Sequence, residues 1–135
     1  MALLISNGEF VSFHGPDPTM VEVKASNSGS VRFVNCAFWG PCNQIARLAG
    51  KGVVGFGYCT FVQWDRKKEG RSALRVDSGS VIVRGCEFQE DKPQIEIGEA
   101  VHRAVITGNI IKGKTRIANH SKGQVTITDN LGDTN

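Results

Sequence analysis

The chain has no apolar run approaching 18 residues, so no segment qualifies as a membrane-crossing helix. Clear helical periodicity is absent throughout, and no segment has room for the long crossover helix of an α/β unit. Excess charge of one sign is also missing. Sixteen Lys and Arg against 13 Asp and Glu leave a formal charge of +3, too mild and too evenly spread to argue for nucleic acid. Disorder is excluded as well, because 40% of the residues are hydrophobic and 21% charged, an ordinary globular balance. The N-terminus, MALLISNGEF, lacks the basic region and cleavage pattern of a signal peptide.

What the chain does contain is a repeat. It reads LLISNGEF (3–10), VRFVNCAF (31–38), VVGFGYCTF (53–61), VIVRGCEF (81–88), AVITGNII (104–111) and VTITDNL (125–131). The marker slot falls on Gly8, Cys36, Cys59, Cys86, Asn109 and Asn130, at steps of 28, 23, 27, 23 and 21 residues. That period, in a strand-rich and glycine-punctuated chain, predicts a solenoid. Each turn holds a first strand (20–24, 45–49, 73–77, 94–98, 115–119), a bend at Gly29, Gly52, Gly79, His102 or Gly123, and a second strand leading to the marker. Alternation sends Val21, Val23, Ile45, Leu48, Leu74, Val76, Ile95, Ile97 and Ile117 inward from the first strands. Two positions past the marker, Phe10, Phe38, Phe61, Phe88 and Ile111 should stack.

Three of the four cysteines occupy equivalent slots, so a column of free, buried thiols is the preferred reading over disulfides. Neighbours in a parallel, in-register ladder point the same way, and bridging them would require distortion. Cys42 falls in a loop, a position that leaves exposure open to it.

The repeated V-x-[FVI]-x-x-[CN]-x-[FI] pattern, Asn109 and Asn130 at the polar slot, and SKGQVTITDNL (121–131) resemble the pectin lyase-like superfamily. The resemblance covers essentially the whole chain and implies an all-β fold, a single right-handed parallel β-helix of about five coils. Residues 1–135 form one such domain. The repeat begins with no capping segment ahead of it, so the domain is expected to be a segment of a longer β-helix protein, secreted or cell-surface, or a solenoid with open ends.

In that superfamily the binding groove runs along the first-strand sheet and the loops entering it. Here those loops are 11–19, 39–44, 62–72, 89–93 and 112–114. Trp39 and Trp64 follow the phenylalanine stack on successive turns. They are expected either to fold back over the core or to offer a platform for a sugar ring. Glu22, Arg47, Arg75, Glu96 and Arg116 form an outward column, read first as a salt-bridge ladder. The functional alternative is recognition of an acidic polysaccharide by Arg47 and Arg75, whose forked guanidinium groups match carboxylates. The candidate carbohydrate-binding set is therefore Trp39, Trp64, Asp65, Arg47, Arg75 and Glu96.

Catalytic motifs do not transfer. Polygalacturonase-like members use clustered aspartates including an adjacent pair, and this chain has no Asp-Asp; His14-Gly15 matches only a fragment. Trp64-Asp65-Arg66 lacks the following histidine and the arginine pattern of pectate-lyase-like members. Asp65 with Glu69, and Asp77 with Asp91, are formal acid/base or calcium pairs, but solvated loop charges are commoner. Gly50–Gly55 fits G-x-G-x-x-G yet precedes a strand rather than a helix, so it has no phosphate-binding context. No catalytic residue, metal site or cofactor is expected. The function expected is a non-catalytic β-helix module, carbohydrate-associated or structural. The alternatives are a polysaccharide lyase or glycoside hydrolase acting on acidic polysaccharide, and an assembly module that pairs through uncapped ends into a homo-oligomer.

Overall fold

The computed structural model describes residues 2–12 and 19–134. His14 and most of the 11–19 loop therefore lie outside the described residues. In chain order the strands are β1 (Ala2–Ser6), β2 (Glu9–Val11), β3 (Thr19–Val23), β4 (Ser30–Val34), β5 (Ala37–Trp39), β6 (Gln44–Leu48), β7 (Val53–Gly57) and β8 (Thr60–Val62). There follow β9 (Leu74–Arg84), β10 (Glu87–Phe88), β11 (Ile95–Thr107), β12 (Ile110–Ile111), β13 (Ile117–Asn119), β14 (Gln124–Thr128) and β15 (Leu131–Gly132). Among the described residues there is no helix.

Every strand pairing is parallel, and the chain winds as a β-solenoid of about five turns. One face, the first sheet, stacks β3, β6, the start of β9, the start of β11, and β13. The second sheet stacks β1, β4, β7, the ends of β9 and β11, and β14. The third stacks β2, β5, β8, β10, β12 and β15. In β9 and β11 one strand carries straight through the bend, so the first and second sheets join there.

The bend glycines are required by close approach between coils. A Cβ on Gly52 would lie 2.2 Å from the Gly29 carbonyl oxygen, and one on Gly123 would lie 2.2 Å from that of His102. Gly79 combines φ +78° with carbonyl oxygens 2.5 and 2.8 Å from its would-be Cβ.

Inward columns form the core. Leu3, Val31, Val54, Val81, Ala104 and Val125 share one register position, and Ile5, Phe33, Phe56, Val83, Ile106 and Ile127 the next, with the end members Leu3 and Ile127 exposed. The predicted phenylalanine stack is present: ring centroids step 4.9, 5.4 and 4.7 Å along Phe10, Phe38, Phe61 and Phe88. A second stack joins Phe33 to Phe56 at 5.1 Å. One inward assignment shifts. Ala46, not Ile45, stands in register with Val21 and Leu74. Ile45 is buried beside it where the Ile45 and Ala46 amides both donate to the Ala73 carbonyl, a local irregularity that simple alternation misses.

The marker residue has a physical task. From each slot after the first, which is Gly8, the side chain donates to the carbonyl of an inward residue one coil earlier: Cys36 to Ile5, Cys59 to Phe33, Cys86 to Phe56, Asn109 to Val83 and Asn130 to Ile106. It also accepts from the preceding marker's amide where Cys86 meets Cys59 N (3.4 Å) and Asn109 meets Cys86 N (2.8 Å). Thiol and carboxamide are interchangeable here because each can both donate and accept. All four cysteines are free and buried. That includes Cys42, whose place in a loop left exposure open. The loop after the Gly40–Pro41 bond turns inward, bringing the Cys42 thiol 3.7 Å from the Gln63 carbonyl.

Candidate functional site

The outward column of the first sheet is set by register: Glu22 lies opposite Arg47, Arg47 opposite Arg75, Arg75 opposite Glu96, and Glu96 opposite Ala118. Arg116 is therefore not the fifth member. Strand β13 meets β11 two residues later than even spacing implies, and Arg116 instead pairs with Asp91 at 2.8 Å. Glu22 pairs with Lys24 at 3.0 Å.

Two arginines thus face each other on adjacent strands, a repulsive arrangement unless an anion intervenes. Asp77 supplies it. Its Oδ2 accepts from Arg47 Nε at 2.9 Å and its Oδ1 from Arg75 Nε at 2.8 Å. Arg75 reaches on to Glu96 at 2.5 Å, and Glu96 Oε1 lies 3.8 Å from His120 Nε2. The chain Arg47–Asp77–Arg75–Glu96–His120 therefore crosses four coils. Partial burial pushes the Asp77 carboxyl up, but the Arg75 and Arg47 guanidinium groups outweigh it and leave the pKa below the usual carboxylate value. The same contact with Asp77, opposed by partial burial and aided by Glu96, raises Arg75 further.

Beside this network lies a shallow recess of about 400 Å³ between Arg75, Asp77 and Glu96 on one side and Gly98, Glu99 and His120 on the other. Gly98 lets the backbone pass close to the network, since a Cβ there would sit 3.4 Å from an Arg75 guanidinium nitrogen.

The other predicted residues are not gathered here. Trp39 points outward on the third sheet, 46% exposed, between Val11 and Val62. Trp64 is not a sugar platform, because it is completely buried. Its indole N–H donates to the Pro93 carbonyl at 2.8 Å, its ring meets Phe88 edge-on at 6.1 Å, and Lys92 Nζ lies 5.9 Å from its centre. Of the two tryptophans, one is packed and one is exposed.

Asp65 is buried as well, at φ +53°, and both carboxylate oxygens are committed. They accept the Glu69 and Gly70 amides at 2.9 and 3.0 Å and shape the 62–72 loop. These bonds, to amides four and five residues on, commit the Asp65 carboxylate to its own loop rather than to an acid/base pair with Glu69. Asp77 and Asp91 have separate arginine partners, Asp91 accepting from the Lys114 amide and Arg116. Among the described residues no group of three or more His, Cys, Asp or Glu could hold a metal ion.

The residue that sequence reasoning undervalued is Asp77. Its place two residues after Arg75 put it on the same outward face, and that spacing was the available signal.

The class defined by these features is the parallel β-solenoid. Comparison with protein-family models, curated proteins and solved structures finds no match.

Proposed function

We propose that this chain is a non-catalytic β-helix module whose first-sheet face binds carbohydrate. The observation that carries this reading is the network Arg47–Asp77–Arg75–Glu96 beside the recess of about 400 Å³. Arginines already oriented by a shared carboxylate have less side-chain freedom to lose, and their remaining N–H donors match hydroxyl and carboxylate oxygens. Binding is favoured over acid catalysis, because Asp77 is shifted toward the ionised form whereas a general acid needs a raised carboxyl pKa.

The test is an NMR titration with a short oligouronide and its neutral counterpart. The reading expects shifts at the Asp77, Gly98 and His120 amides and at least tenfold weaker binding in Arg75→Ala. Absence of any such shift, with no binder on a glycan array, overturns it. Cleavage of the oligouronide that Asp77→Asn abolishes would instead establish the enzymatic alternative.

A second reading, assembly through coil ends, is favoured by one observation. An apolar mouth of about 920 Å³ opens at the first coil, lined by Ile5, Phe10, Met20, Val21, Val31 and Phe33. Stacking of a second copy there would pair the free edges of β1 and β3. Light scattering that gives a concentration-independent monomer removes it.

A further inference from the structure

The outward face of the second sheet carries charge of one sign. The strand segments 2–6, 30–34, 53–57, 80–84, 103–107 and 124–128 contain Arg32, Arg84 and Arg103, and no Asp or Glu. On the first sheet Arg47 and Arg75 are held by carboxylates, whereas Arg32 and Arg84 make no ion pair with any described residue.

Between these two arginines lies a recess of about 330 Å³, at the small-ligand end of pocket sizes. Its floor is Gly55 and Gly57, the outward residues of β7, with Arg32 beside Gly55 and Arg84 beside Gly57 in register. Neither glycine is required by the fold. Neither has positive φ, a Cβ on Gly57 would meet nothing within 4 Å, and one on Gly55 would touch only Arg32 Cγ at 3.7 Å. The bend glycines, by contrast, would collide with backbone. Strand glycines often mark a bulge, a bend or the close approach of a ligand or another backbone.

The wall is Tyr58, the only tyrosine of the chain. It holds φ +53°, a conformation bulky residues rarely adopt, and its ring edge lies over Gly85, where a Cβ would sit 2.7 Å from a ring carbon. The ring is nevertheless 64% exposed. Stacked strands are about 4.8 Å apart, so Arg32 and Arg84, two coils apart, are separated by roughly 10 Å along the axis. Both side chains can reach one small molecule lying on the glycine floor.

We propose that this recess is a binding site for a flat aromatic ring bearing an anionic group, either a carboxylate or a phosphate. The ring lies over the strand backbone at half-buried Gly57, next to buried Gly55 and beside Tyr58, and the anion is taken by the Arg32 and Arg84 guanidinium groups. The site is separate from the first-sheet face and does not depend on that face binding carbohydrate.

The experiment is an NMR titration of the full chain with 4-hydroxybenzoate and uridine 5′-monophosphate, each beside its neutral counterpart, 4-hydroxybenzamide and uridine. The expected result is saturable shifts of the Gly55, Gly57 and Tyr58 amides by at least one anion, with the neutral compound at least tenfold weaker. Response to the monophosphate alone assigns a phosphate ligand, and response to the benzoate alone a carboxylate. Arg32→Ala and Arg84→Ala should each weaken binding at least tenfold, and Arg75→Ala should leave it unchanged. Gly57→Val fills the floor where there is room, so it should abolish binding while the melting temperature is retained. No shift with either anion, equal binding of the neutral compounds, or binding intact in Gly57→Val overturns the proposal.

Discussion

Arg75 and Asp77, two residues apart on one outward face, form a 2.8 Å ion pair whose second carboxylate oxygen holds Arg47 on the neighbouring coil at 2.9 Å. One carboxylate thus bridges two guanidinium groups that register sets directly opposite each other. Its removal should be felt in stability as well as in binding.

Asp77→Asn removes the carboxylate shared by Arg47 and Arg75 and leaves only Glu96 beside Arg75, at a cost on the order of 1 kcal/mol in urea unfolding. The pH dependence has a definite sign. Folding lowers the Asp77 pKa, so its contribution is present above the unfolded carboxylate value and lost as pH falls through the folded one. Wild type and variant should therefore differ at pH 7 and converge at strongly acidic pH, which paired urea titrations would reveal.

The cysteines should be inert until the chain unfolds, because all four are buried, Cys59 included although its hydrogen bond with Cys86 lowers its pKa. Burial, assisted by the Glu90 charge, pushes the Cys42 thiol up to about 12, and the hydrogen bond with Cys59 together with burial pushes Cys86 up as well. An Ellman assay at pH 8 should register almost no thiol in the native protein and all four in urea. Because the folded Cys42 pKa is raised, its share of stability is complete below the unfolded thiol value. It declines as pH rises from about 9 toward 12, by at most about 1.4 kcal/mol per pH unit.

The two tryptophans should separate cleanly. Trp64→Ala empties a fully buried site and removes the indole bond to Pro93, so a loss of about 3–5 kcal/mol is expected. Trp39→Ala should stay within about 1 kcal/mol. Acrylamide should quench Trp39 fluorescence and leave Trp64 emission largely intact.

The glycines should divide the same way. Gly52→Ala forces a Cβ to within 2.2 Å of the Gly29 carbonyl oxygen and should cost about 3 kcal/mol or prevent folding. Gly57→Ala meets no atom within 4 Å and should be neutral or stabilising by about 0.5–1 kcal/mol, since strand glycine is entropically unfavourable. Thermal melts of the two variants would decide this, and equal losses would contradict the packing described for the bend.

Much of the fold was legible because a solenoid writes its interior into the chain as a period. The Phe10–Phe88 stack, the thiol column and the paired alternation of Val81 with Val83 all follow from local pattern. The candidate site was only partly legible. Arg47, Arg75 and Glu96 fall on one face by alternation, but the pattern pairs Asp77 with Asp91 rather than with these arginines, and uneven spacing between coils takes Arg116 out of the column. Tyr58, Gly55 and Gly57 carried no sequence signal that distinguished them from other bend and strand residues.

The amino-acid sequence by itself determined the inside of this protein, because burial selects residue type at every second position and each coil repeats the selection. The tertiary structure decided the outside. Interstrand register set which charges face each other, loop path decided that Trp64 and Cys42 turn inward while Trp39 does not, and only the stacked backbones separate glycines the fold requires from those it leaves open. Those outcomes depend on atoms from neighbouring coils, 20–30 residues away in the chain, as with Asp77 and Arg47 at a separation of 30.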